Sequence, residues 1–167
     1  MSAGTRGWRT VAGCRRFPNA RYVFGKNEFD YWTEQHAKTP VPPFGDSVLP
    51  IVEANRAEIV RHDYTIGDHV RILPTPGHTP GHVAFSFGRG KDSAVFSGDL
   101  MHSPLQTRYP ELSAKFDVDQ MQAATTRRNF LERYCDTDTV CCTAHFPSPS
   151  TGTIRRRSDG FSCQATG

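Results

Sequence analysis

Long apolar runs are absent from this chain. No segment approaches the roughly 20 apolar residues that a membrane-spanning helix requires, so no membrane partner is expected. The opening stretch MSAGTRGWRTVAGCRR is basic but lacks the apolar segment of an export signal, which makes a cytoplasmic location the expectation. CxxC pairs are missing too: the five cysteines are odd in number, and their spacing indicates neither a disulfide framework nor a thiolate zinc site. Strong charge of one sign is also lacking. The formal net charge is +3, and the arginines come in short groups (Arg15 with Arg16, Arg127 with Arg128, Arg155 to Arg157) that read as solvated faces. A nucleic-acid reader would carry a denser basic stripe with interleaved aromatics, so no nucleic-acid partner is expected. No internal repeat or low-complexity tract is present.

What remains is one domain's worth of soluble, mixed sequence, 167 residues long and able to bury a hydrophobic core. RYVF, residues 21–24, reads as a short strand. GKNEFDYWTEQHAK follows as a helix with Phe29, Tyr31, Trp32 and His36 on mostly one stripe, His36 being an exposed residue near its end. TPVPPFGD is a Pro-rich loop, and Asp46 or Ser47 is expected to cap a helix through SVLPIVEANRAEIV. Three strand-like runs come next, HVRILPT, HVAFSFG and SAVFSG, the last two joined by the hairpin connection RGKDS. An amphipathic stretch over 117–134 offers Met121, Ala124, Phe130 and Leu131 for burial. TVCCTAHF reads as a buried strand whose adjacent Cys141 and Cys142 point to opposite faces, and TGTIRRRSDGFSC as a last strand or hairpin. Alternating strands and helices predict a mixed sheet covered by helices on one face.

Between the first two strand-like runs lies TPGHTPGH, residues 75–82, with two histidines four apart among two glycines and two prolines. Helix is excluded by Pro76, Gly77, Pro80 and Gly81. A loop stiffened by prolines at a strand end suits a histidine aimed outward in a fixed direction, as a ligand or a base; the alternative is a hairpin with merely polar turn residues. Two further segments share this grammar of a small, apolar strand followed by a polar residue with ligand chemistry: Asp99 after AVFSG and His145 after VCCTA. Taken singly, Asp99 is also a turn residue and His145 also a strand-end histidine. Gathered at one sheet edge, His78, Asp99 and His145 form a two-histidine, one-carboxylate set suited to zinc, iron or manganese.

LPTPGHTPGHVAFSF, AVFSGDLMHSPLQ and TAHFPSPSTG together resemble the second half of the metallo-β-lactamase fold hydrolase superfamily. FPNARYVFGKNEFDYW resembles its lactonase-like and organophosphate-hydrolase-like branch, and the likeness covers about 17–160. The resemblance implies an α/β fold, the four-layer αββα sandwich, and a zinc-dependent hydrolase of a small ester, lactone, lactam or phosphoester. It implies that His78 binds one zinc, that Asp99 bridges two, and that His145 binds the other. His82 is no ligand in that pattern and is expected to orient the loop by a hydrogen bond, whereas His102, three residues after Asp99, is placed to approach the mouth of the site. No residue is assigned as the catalytic acid or base.

The family's HxHxDH cluster is absent from these residues, and HDYTIGDH has the wrong spacing to replace it. The resemblance therefore implies a partial domain over 1–167 that lacks the first strands and half the ligands of the complete two-zinc centre. One ion or none is expected, because catalytic zinc generally takes three protein ligands. An incomplete sandwich exposes an apolar sheet face and unpaired edges, which predicts poor solubility, a homodimer or dependence on a missing N-terminal segment. The alternative to an impaired hydrolase is a non-catalytic fragment that binds at most one metal ion or a partner chain. The tail RRRSDGFSCQATG is expected to leave a plausible final strand after Phe161.

Overall fold

In the computed structural model, which describes residues 17, 19–62 and 64–165, the chain opens with two parallel strands, β1 (Tyr22–Gly25) and β2 (Ala57–Val60). Parallel neighbours need a crossover. Helix α1 (Lys26–Lys38), a π-helical turn (Phe44–Val48) and the short helix α2 (Leu49–Glu53) supply it.

Three expectations for this region are corrected. The helix over SVLPIVEANRAEIV stops at Glu53, and its start has no side-chain cap. Asn55 turns left-handed at φ 53°, a conformation asparagine tolerates, and the β-branched Ile59 and Val60 then find ladder partners in β1. His36 is half-buried rather than exposed: its Nδ1 accepts the Val41 N–H at 3.0 Å, and its ring lies 5.6 Å from that of Phe44.

Strands β3 (Thr65–Ile66), β4 (Val70–Pro74), β5 (Val83–Phe87) and β6 (Ala94–Phe96) follow as an antiparallel meander. The chain then leaves the sheet through a 3₁₀ turn (Gly98–Leu100) and the helices α3 (Leu105–Arg108) and α4 (Gln120–Tyr134). It returns as β7 (Val140–Cys142), parallel to β6, and finishes with the antiparallel hairpin β8 (Thr151–Arg157) and β9 (Gly160–Ala165). The resulting sheet has seven strands in chain order. The tail therefore does not leave the sheet after Phe161, since β9 pairs with β8 as far as Ala165 opposite Gly152.

Helix α4 starts where Asp119 Oδ1 accepts the Gln122 N–H at 2.9 Å. Its buried stripe is Ala123, Thr126, Arg127, Phe130, Leu131 and Tyr134. Phe130 and Leu131 are buried as expected, but Met121 is 83% exposed and the buried alanine is Ala123, against which Gly77 of the 75–82 loop packs. Against this stripe lie Ala84, Val95, Cys141, Ile154 and Phe161 from one face of the sheet. The opposite face carries Ile72, Phe85 and Phe96 in register. Ile72 shares a cleft with the ends of the β1–β2 unit and is buried, while Phe85, Phe87 and Phe96 remain 36%, 37% and 48% exposed. The apolar face anticipated from the sequence is thus present. Among the described residues no helix is long and apolar enough to cross a membrane.

Candidate metal centre

The 75–82 loop is held from both sides. Gly77 sits at φ 134°, and a Cβ there would lie 2.3 Å from the Ala123 backbone; one on Gly81 would lie 2.1 Å from the Glu28 nitrogen. These two glycines let the first turns of α4 and α1 close on the loop. The Val118 and Asp119 N–H groups donate to the His78 and Gly77 carbonyls at 3.0 Å each. Thr126 Oγ1 donates to the Pro76 carbonyl at 2.7 Å, and Thr79 Oγ1 to Glu28 Oε2 at 2.6 Å. A loop tied at this many points presents its histidine in one orientation.

His78 Nδ1 donates to Asp117 Oδ1 at 3.1 Å, and Asp117 has no exposed side-chain surface. With Nδ1 directed at Asp117, His78 leaves Nε2 to face Asp99 Oδ2 at 3.6 Å. Asp99 Oδ1 accepts from His145 Nε2 at 2.8 Å. The structure brings together all three residues named from the sequence. It does so because β6 and β7 are parallel neighbours, so Asp99 and His145 leave the sheet at the same edge, where the 75–82 loop closes the β4–β5 pair.

His82 Nδ1 lies 3.1 Å from the Thr75 carbonyl and 2.8 Å from its hydroxyl, while Nε2 accepts the Asp99 N–H at 3.0 Å. Accepting at Nε2 requires the neutral ring with its proton on Nδ1, and burial, the largest influence, lowers its pKa accordingly. His82 thus grips the Asp99 backbone, the loop-orienting role expected of it. At Asp99 burial raises the carboxyl, but the hydrogen bond from His145, with the His78 and His145 side chains beside it, outweighs it and holds the group below its ordinary value.

His102 is more central than its spacing suggested. Its ring stacks on His145 at 4.6 Å and 17°, meets Phe116 edge-on at 4.8 Å, and lies 5.2 Å from His78. Burial first, then the neighbouring His145 and His78, lower its pKa. Two groups with donor atoms within 4.8 Å of one another share it, His78–His102–Asp117 and Asp99–His102–His145.

Three contributors escaped the sequence reading: Asp117, Phe116 and Arg127. Arg127 was expected on a solvated face but is 1% exposed. Its guanidinium donates to the carbonyls of Leu100 at 3.0 Å, Pro110 at 2.7 Å and Leu112 at 2.8 Å, and approaches Asp117 at 3.5 Å. It therefore ties the turn bearing Asp99 to the loop bearing Phe116 and Asp117. No local pattern marks these residues, whose partners come from distant segments.

The fold is similar to that of several known proteins. The structure is similar to that of the hydrolase AbOPH in the beta lactamase superfamily (24% identity, TM-score 0.79), covering 93% of this chain and 58% of that one. It is similar to AidC, a dizinc quorum-quenching lactonase in complex with a product (23%, 0.74), covering 90% of this chain and 56% of that one. A probable metal-dependent hydrolase from Staphylococcus aureus is similar at 16% identity and TM-score 0.63, with 90% and 54% covered. The chain thus spans a little over half the length of these structures. At such identities the likeness is one of fold. The family model of the metallo-beta-lactamase superfamily matches residues 12–145, the region that runs from before β1 to His145 itself, and the chain belongs to that superfamily.

Proposed function

We propose that this chain carries the strand-end part of a metal-dependent hydrolase centre, with His78, Asp99 and His145 as its zinc ligands. The observation that carries the reading is the approach of two imidazoles to one carboxylate, His78 Nε2 to Asp99 Oδ2 at 3.6 Å and His145 Nε2 to the other oxygen at 2.8 Å. Two imidazoles with a carboxylate are a donor set zinc accepts. Zinc, when bound, supplies Lewis-acid polarisation of a carbonyl or phosphoryl oxygen and a nucleophile at neutral pH.

The chain's own residues prepare for this. Asp117 fixes the His78 tautomer and His82 fixes the Asp99 backbone, while Phe116, 56% exposed, provides an apolar wall beside His78 and His102 for an acyl or aryl group. The substrate class that fits is a small ester, lactone, lactam or phosphoester. AidC, one of the similar structures, is a dizinc lactonase.

A second reading has its own support. With no HxHxDH in these residues, a two-metal centre has fewer protein ligands per ion than zinc usually takes, which favours a non-catalytic chain that holds one ion. Native mass spectrometry with zinc, combined with turnover of an aryl ester, an N-acyl lactone and a phosphotriester, separates the two. Zinc-dependent turnover lost in His145→Ala supports the hydrolase. One bound ion without turnover supports the second reading, and no bound ion overturns the metal centre altogether.

A further inference from the structure

We infer that His102 is a metal ligand in this chain, joining Asp99 and His145 on one ion, an inference that rests on the metal reading above. Nitrogen donors sit about 2.1 Å from zinc, so two donors on one ion are at most about 4.2 Å apart. Asp99, His102 and His145 offer donor atoms within 4.8 Å of one another, close to that limit. The rings of His102 and His145 already lie nearly parallel, 4.6 Å apart, and His145 Nε2 is on Asp99 Oδ1 at 2.8 Å.

His102 is also incompletely satisfied by the protein. Its backbone N–H donates to Gln106 Oε1 at 2.6 Å, which anchors the residue, but the ring Nδ1 is buried and has no hydrogen-bond partner among the described residues. A buried polar nitrogen left unpaired costs free energy. An imidazole fixed by its backbone, flanked by a second imidazole and free of protein partners at one nitrogen is suited to a cation.

The other group, His78–His102–Asp117, is a poorer site. Asp117 accepts the Ala114 N–H at 3.0 Å and His78 Nδ1 at 3.1 Å, and faces the buried Arg127 guanidinium. Its oxygens are committed, and a cation there would lie next to Arg127. Asp99 and His145, by contrast, are 46% and 45% exposed, so an ion can reach them and retain an open position. His78, held on Asp117 through Nδ1, presents Nε2 to the second oxygen of Asp99 and stays available to the same ion. His102 thus adds a donor to the His78, Asp99 and His145 set without drawing on HxHxDH.

The test is cobalt(II) titration of the chelator-treated full chain, with affinity from a competing chelator and geometry from the visible spectrum, comparing wild type, His102→Phe, His102→Cys and His145→Ala. His102→Phe keeps a ring against His145 and Phe116 but cannot ligate; His102→Cys restores a donor. Loss of a mere orienting contact weakens metal sites about 10- to 100-fold, so the expected loss in His102→Phe exceeds about 100-fold. It comes with an altered spectrum, and His102→Cys recovers binding with a sulfur-to-cobalt charge-transfer band. Binding lost in His145→Ala but kept within about 100-fold in His102→Phe, with the wild-type spectrum, overturns the inference and leaves the metal centre standing. No cobalt bound by the wild type overturns both.

Discussion

Replacing Asp117 by Asn removes a charge while leaving volume almost unchanged, and the structure sets the size of the effect. The Asp117 and Arg127 side chains are 0% and 1% exposed, so neither ion can be rescued by water. Breaking a buried ion pair by removing one partner costs about 3–5 kcal/mol, because the other charge stays buried. Here the pair is long, 3.5 Å, and three backbone carbonyls continue to solvate the guanidinium, which places the expected loss at the lower end, about 3 kcal/mol. For a chain of this size that lowers Tm by about 6–12 °C. Urea unfolding followed by circular dichroism, with calorimetry, both in chelator, measures the loss free of metal linkage. A double-mutant cycle with Arg127→Met isolates the pair: Arg127→Met should be milder by at least about 1 kcal/mol in the Asp117→Asn background than in the wild type. A loss below about 1 kcal/mol, or strict additivity, would refute the argument that these charges depend on each other.

Gly77→Ala forces a Cβ onto the Ala123 backbone at φ 134°, so backbone strain and overpacking together should cost about 2–6 kcal/mol; equilibrium unfolding within about 0.5 kcal/mol of wild type would contradict this. Burial holds the folded-state pKa of His82 below its ordinary value of 6.5. As pH falls through that value the unfolded chain takes up a proton that the folded chain refuses. Stability is therefore fully present above about 6.5 and declines below it, a decline His82→Asn should flatten; parallel pH profiles for the two proteins would contradict the assignment. Phe85, Phe87 and Phe96 make an exposed apolar face, so the wild type is expected to self-associate in analytical ultracentrifugation and Phe96→Glu to shift it toward monomer. A wild type that is monomeric throughout removes that expectation.

The strands from Val70 to Phe96 were legible because their alternation has the period of a half-buried sheet, and α4 was legible because Met121, Ala124 and Leu131 recur at helical spacing, although Ala123 takes the buried place expected of Ala124. His78, Asp99 and His145 stood out because each follows a strand directly. The switch at Asn55 was hidden: Ala57–Val60 becomes a strand only through pairing with β1, a tertiary influence that overrides local propensity. The buried role of Arg127 was hidden for a related reason, since a charged residue beside another arginine looks solvated until the carbonyls of Leu100, Pro110 and Leu112 converge on it. Asp117 and His102 lie in loops, where side-chain environment has no sequence period.

The parallel pairing of β6 with β7 also orders events in time. A hairpin such as β8–β9 can close through a short turn, but Asp99 and His145 are 46 residues apart and meet only after the 3₁₀ turn, α3 and α4 have been laid against the sheet. Loop-closure entropy must be met before that non-local contact contributes anything. The donor set is therefore among the last features to assemble during folding. A metal ion that binds only the finished set selects the completed chain over every partly folded form, so the growth of a cobalt absorption band after dilution from denaturant would time the last step of folding, not the first.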